Sequence, residues 1–409
     1  MLRSSAKRLR DLHKRLGEHA DRRLAAREGH LDYREPAPLS ALSMKVLALA
    51  SYPVEAAATR YRLAQFVEPL AERGIDVSVR PFLDSRLFAA LYKRDQLPRV
   101  ALGVAGAALR RLNDVLAARN ADILLVQREA MLFGPPVIEW LSTRLGKCPM
   151  VLDLDDATYV SYTSPTYGRI GSWLKWFSKT DELIGRAQVV TCGNRSIAEY
   201  VLSKGGHARI IPTVVDTERF RPREKAADKG PVVLGWIGTH STFPYLESIF
   251  PALQRLARTH SFKLKVVGAG RSEITLPGVL VESLDWNLER EIEDFQSFDI
   301  GLYPIDATLY ADKWAAGKSG FKAIQYMAIG IPYVATPVGA SAEIGEPNVT
   351  HFAASTEDEW HARLELLLTD EERRKRMGEA GRSHALQHYT VPQQADKLAS
   401  ALREAAGRG

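Results

Sequence analysis

Gly317-Lys-Ser-Gly-Phe-Lys-Ala-Ile-Gln-Tyr-Met-Ala-Ile-Gly330-Ile-Pro-Tyr-Val-Ala-Thr336-Pro-Val-Gly339 reads as a loop, a helix and a strand in quick succession. Gly317 and Gly320 have no Cβ, so the backbone there can approach a ligand closely. Lys318 and Lys322 bring positive charge to a helix start whose free N–H groups already favour anions, with Ser319 beside them. The spacing predicts a helix from about Phe321 to Ile329, with Gly330 as its left-handed cap. Pro332 then opens a short apolar strand, Tyr-Val-Ala, before a Thr-Pro-Val-Gly loop. Such a cationic glycine loop suits a phosphate or diphosphate. The alternative is a plain helix start, since many Lys-Ser-Gly turns bind nothing.

Working outward, the chain falls into two similar halves. Val46 to Ala50 reads as a buried strand, followed by a helix from about Thr59 to Arg73 that Gly74 closes, and then a strand from Val77. That is a βαβ unit, the start of a doubly wound parallel sheet. Arg60 and Arg62, two apart on the helix, cannot both face the core. Leu87 to Arg119 reads as one or two helices divided by Pro98. Two more strands end in charge: one in Arg128 and Glu129, the other, Met150-Val-Leu-Asp153, in Asp155 and Asp156. At the carboxyl ends of parallel strands these groups fall on the cleft side. Trp173, Trp176 and Phe177 on the next helix read as core, with part of an apolar acceptor surface as the alternative. After a polar linker, Arg223 to Gly230, the pattern restarts with Val232-Val-Leu-Gly-Trp-Ile-Gly238. Its turn, Thr239-His240-Ser241-Thr242, precedes a helix expected near Tyr245 to His260. A glycine turn with hydroxyls ahead of a helix suits a diphosphate. Phe262 to Val267 repeats the strand, ending in Gly268 and Gly270.

Composition bounds the function. The chain has 409 residues, 45% hydrophobic and 25% charged, enough for two globular domains. Its two cysteines, Cys148 and Cys192, make no disulfide framework and point to a reducing cytosol. No run approaches the roughly 18–20 apolar residues of a membrane span. The formal charge is +6, and residues 1–29 hold nine Lys or Arg against four Asp or Glu, a local +5. Leucines recur there at near-helical spacing, so an amphipathic helix on an anionic membrane surface is expected. The alternatives are a solvated extension or a natural start at Met44. No aromatic residues interleave these charges, which argues against nucleic acid. No His/Cys/Asp group has metal-ligand spacing.

The 317–339 stretch resembles the donor segment of the family 4 glycosyltransferases (glycosyl transferases group 1), whose pattern is Glu, seven residues, Glu, then Ala-Met-Ala-x-Gly-x-Pro-Val-Val-Ala. Gln325-Tyr-Met-Ala-x-Gly-x-Pro-Tyr-Val-Ala fits it, but Gln325 and Gly317 stand where the glutamates belong. Met377-Gly-Glu-Ala-Gly-Arg382 and Ile210 to Pro222 resemble further family segments. The resemblance implies a GT-B fold, two Rossmann-like doubly wound α/β domains facing a central cleft. The expected boundaries are an extension over 1–43, an acceptor domain over 44–222, a linker over 223–230 and a donor domain over 231–390. A final helix over 391–409 is expected to cross back to the first domain.

It also implies transfer of a sugar from a nucleotide-diphosphate sugar to a saccharide or lipid-linked acceptor, with retention and without a metal or other cofactor. The setting would be cytoplasmic, peripheral on the inner face of the membrane, in surface polysaccharide or glycoconjugate synthesis. On this reading Lys318, Lys322 and Asp156 are catalytic. Gly238, Thr239, His240, Gly268, Ser319, Gly320 and Gln325 bind the donor, and Arg60, Arg62, Arg128 and Asp155 face the acceptor. Asp306 or Asp312 would supply the carboxylate missing at Gly317. The rival reading is an inactive nucleotide-sugar-binding partner of an active transferase.

Overall fold

The computed structural model describes residues 43–91, 93–161, 168–224, 230–305 and 317–408. Leu42–Gly409 forms one unit by its internal contacts and Met1–Ala41 another. The basic helix expected over residues 1–29 lies outside the described residues, as do Asp306 and Asp312.

Two six-stranded parallel sheets carry the chain. The first is built from β1 (Met44–Ala50), β2 (Ile75–Pro81), β3 (Ile123–Gln127), β4 (Met150–Leu154), β5 (Val189–Cys192) and β6 (Ala208–Ile210). The second uses β7 (Val232–Ile237), β8 (Phe262–Val267), β9 (Leu280–Leu284), β10 (Ile300–Tyr303), β11 (Tyr333–Ala335) and β12 (His351–Ala353). Their orders are β2-β1-β3-β4-β5-β6 and β12-β11-β10-β7-β8-β9. In each sheet the strand order reverses once, between β1 and β3 and between β7 and β10. In open α/β sheets the crevice at that reversal, beyond the strand carboxyl ends, is where ligands sit.

Burial explains the strand sequences. Val46, Ala48 and Ala50 of β1 pack on one face with Phe66, Leu398 and Leu402, while Leu47 and Leu49 pack on the other with Val115 and Ala118. A strand covered on both faces needs continuous apolar sequence rather than alternation. The last helix, Val391–Ala405, is opened by a Thr390–Gln393 capping box and belongs to the first core, although it follows the second half in sequence. Arg111, 2% exposed, ties the first sheet together, donating to the carbonyls of Ala50, Arg80 and Ala130 at 2.8, 3.0 and 2.9 Å.

The donor helix runs Phe321–Ile329 and ends at Gly330 with φ 76°, as its local signals predict. The reason for Gly378 lies here too: a Cβ on it would drive into the Gly330 carbonyl. Arg382, four residues on, donates to the Ala328 and Phe220 carbonyls at 2.7 and 2.8 Å. Two helices are shorter than expected. The one after β1 is interrupted at Leu63 (φ −125°) and splits into Ala57–Arg62, a tight turn at Ala64–Phe66, and Val67–Ala71. The one after β7 becomes Phe243–Glu247 and Phe250–Leu256, each with a proline in its first turn, where a missing N–H costs nothing. Trp173 and Trp176 are not core: Trp173, on the surface helix Gly168–Lys175, is 71% exposed, and Trp176, just past its end with φ 56°, is 43% exposed.

One buried group makes a prediction. His351 on β12 stacks on Tyr333 with ring centroids 4.8 Å apart, and its Nδ1 meets the Thr350 hydroxyl at 3.0 Å. Burial, aided by the nearby His384, pushes its pKa down to about 4. The folded state thus keeps His351 neutral where the unfolded chain takes up a proton, so stability falls as pH drops from about 6.5 toward 4. The loss approaches roughly 3 kcal/mol when complete. Urea unfolding at stepped pH is expected to show this decline, and His351→Phe to flatten it.

Candidate functional site

The donor loop enters its helix through Gly320, whose φ of 66° suits glycine. At the second residue of the helix, the Lys322 ammonium donates to the Gln325 side-chain oxygen at 2.8 Å and lies over the Phe295 ring at 5.3 Å. Among the described residues it makes no ion pair. Burial pushes its pKa down to about 8, against the pull of Glu291. Gln325 is fully buried and its Nε2 has no hydrogen-bond partner. Its oxygen faces Lys322 and sets the position of that ammonium.

On the first sheet, β3 ends in Arg128, which holds a left-handed φ of 62°. That turn aims its guanidinium at the β4 mouth, where it binds Asp155 through two hydrogen bonds of 2.5 and 2.6 Å and Asp156 through one of 2.9 Å. Burial works against the Asp155 charge, but Arg128 outweighs it and holds the carboxyl below its usual range. Arg128 and Asp155 satisfy each other, so neither is a free grip for an acceptor. Asp156 is the more open carboxylate, its side chain 28% exposed. It also faces Tyr303 at the end of β10, whose hydroxyl is pushed up by burial and then by this carboxylate.

The two halves meet at this point. A Cβ on Gly317 would collide with Ala157, the residue after Asp156. Asn194 caps the Arg195–Ser203 helix through its side-chain oxygen and donates its Nδ2 to the Lys318 carbonyl at 2.9 Å. The sequence marks Asn194 as a helix cap; its second partner, 124 residues away, is legible only in the structure.

A second junction surrounds Glu291, a residue the sequence reading passed over. Its carboxylate accepts from the Tyr61 hydroxyl at 2.8 Å and from Arg60 at 3.5 Å. Arg60 also lies over Trp286, 5.4 Å from its centroid, and donates to the Val54 and Glu55 carbonyls. Arg60 therefore bridges the halves rather than facing an acceptor. Arg62 is corrected more sharply. It is 3% exposed, grips Asp153 with two hydrogen bonds, and reaches the Ile211 carbonyl at 2.6 Å. It is a core group because Asp153, on the same side of β4 as the helix, is buried with it.

The β7 turn is close to the β8 turn, since a Cβ on Gly268 (φ 82°) would strike the Gly238 carbonyl. Its donors are largely spent internally. The Thr239 N–H bonds the Thr242 hydroxyl, and the Thr242 and Phe243 N–H groups both bond the Thr239 carbonyl, each at 3.0 Å. Thr239 thus spends its N–H and carbonyl within the turn, and its hydroxyl meets that of Ser241 at 2.8 Å. His240 is exposed. Arg271, unremarked in the sequence, brings a cation here: it stacks on Phe243 at 4.5 Å and pairs with Glu247. Only its place after Gly270 signals it.

Residues 302–384, from β10 through the donor helix to Arg382 and beyond, match the family described as glycosyl transferases group 1. HepE of Anabaena, solved with UDP, superimposes with a TM-score of 0.58 at 13% identity, over 88% of this chain and 99% of that one. A glycosyltransferase of Rickettsia africae gives 0.64 at 14%, over 90% and 100%. The chain has the GT-B fold, and its 302–384 segment is similar to the group 1 glycosyl transferases. Sucrose-phosphate synthase of Thermosynechococcus elongatus shares the GT-B fold at 0.61 and 12%, over 88% and 98%. No curated protein matches the chain. Among the described residues of this GT-B protein, no helix is long and apolar enough to cross a membrane.

Proposed function

We propose that the protein transfers a sugar from a nucleotide-diphosphate sugar to a saccharide or lipid-linked acceptor, with retention, in surface glycoconjugate synthesis at the cytoplasmic face. The observation that carries this is Lys322: a half-buried ammonium that makes no ion pair among the described residues, in the donor segment of a GT-B fold. An uncompensated buried charge is costly unless a ligand supplies its partner. A diphosphate does so, and the interaction strengthens as its leaving oxygen gains charge. The bond from the anomeric carbon to that oxygen breaks while the acceptor oxygen attacks, and the departing phosphate takes the acceptor proton. Lys318 and Lys322 stabilise the diphosphate, in place of a divalent ion. Asp156, held by Arg128 at the facing strand mouth, orients the acceptor hydroxyl. HepE has also been solved with UDP-glucose, which makes uridine diphosphate sugars the first probes.

The rival, an inactive binder, is favoured by the absence of a carboxylate at both Gly317 and Gln325. Release of nucleoside diphosphate from a panel of donors separates the two. The proposal expects slow donor hydrolysis that Lys322→Ala abolishes. Stabilisation by a donor without any hydrolysis would favour the rival.

The Lys322 pKa sets a pH signature. A bound diphosphate pulls the ammonium pKa back up, so binding takes up a proton above pH 8. Affinity for a nucleoside diphosphate is expected to fall as pH rises through about 8. Gln325→Glu places a carboxylate beside the ammonium and should move that fall to higher pH. Titration calorimetry in paired buffers reads both the affinity and the proton uptake.

A further inference from the structure

We propose that the face formed by the Leu97–Ala118, Val137–Leu145 and Gly168–Lys175 helices docks on an anionic lipid surface. The long helix buries Val100, Ala107, Val115 and Ala118 together with Arg111 and Asp114, and it carries a second apolar stripe on its outward side. Leu102, Leu109, Leu112 and Leu116, 78%, 69%, 49% and 62% exposed, fall with Ala105 on one stripe at spacings of three and four. At 3.6 residues per turn, Arg99 and Arg110 border one side of the stripe and Arg119 the other, and all three are exposed.

The neighbouring helices extend the patch. Val137–Leu145 packs against the long helix and exposes Leu145 and, at its edge, Trp140. The Gly134 N–H, just ahead of it, bonds the Leu174 carbonyl, which brings in the helix carrying Trp173. More than half of the exposed large apolar residues among the described residues lie between Leu97 and Trp176. Exposed apolar residues gathered on neighbouring helices mark an interaction surface.

Charge selects the occupant. These three helices contain two acidic residues, Asp114 and Glu139, and both are buried. Their exposed charges, including Arg144 and Arg169, are all positive. Leucine and tryptophan bordered by arginine suit an interface of acyl chains under anionic headgroups. The proposal does not depend on the donor-site reading.

The test is sedimentation of the full chain with vesicles of phosphatidylglycerol and phosphatidylethanolamine, against vesicles of phosphatidylcholine alone. The expected result is binding to the anionic vesicles that weakens with salt. A triple Leu102→Gln, Leu109→Gln, Leu116→Gln variant should lower it about tenfold or more. Leu280→Gln, equally exposed on the second half, should leave it unchanged, and matched melting curves confirm that the variants fold. No anionic binding, or equal binding by the triple variant, overturns the proposal. So does a parent dimer that the triple variant converts to monomer, which would assign the stripe to a second copy.

Discussion

Arg62→Ala is expected to destabilise the protein by about 3–5 kcal/mol, because it leaves Asp153 charged, buried and unpaired. Arg62 and Asp153 have side chains 2% and 4% exposed. The pair joins four parts of the first half: the helix after β1, β4, β5 through the Thr191 hydroxyl at 2.6 Å from Asp153, and the Ile211 carbonyl beyond β6. Urea unfolding measures the loss. Most of it reflects a stranded carboxylate rather than the worth of the pair, so Arg62→Met with Asp153→Leu should recover a large part. If Arg62→Ala matched the parent midpoint, Arg62 would not be the core group described here.

Gly317→Glu restores the side chain that the family pattern carries, yet is expected to lower donor turnover by about 10²-fold, the scale of a 1 Å displacement at a reacting centre. The Cβ alone collides with the Ala157 side chain and approaches its backbone. Either the donor loop or the Asp155–Ala157 loop must retreat, and both carry groups of the proposed site. The opposite result, a gain in turnover, would mean that the two loops separate before reaction. The same geometry accounts for the glycine: the space a glutamate would occupy is filled by the first half.

The donor helix was legible to the residue because its signals are local: a glycine loop, nine residues without a breaker, and Gly330. The two switch-point turns were equally legible, since apolar strands ending in glycine or charge mark them directly. The arginines were not. Arg60 and Arg62 differ by two positions, and their fates depend on Glu291 and Asp153, 231 and 91 residues away. Arg128 and Asp155 look like separate binders in the sequence because pairing between strand mouths needs the sheet order. Trp173 was misjudged for another reason: large aromatic residues are usually core, and only the fold shows that its helix lies outside.

Nucleotide binding to the donor half is the central claim, and calorimetry with UDP and other nucleoside diphosphates on the parent and Lys322→Ala tests it most directly. Binding by at least one of them at pH 7, weakened about tenfold or more in Lys322→Ala, is the predicted result. Equal affinity in the variant, or no binding to the parent, would contradict it.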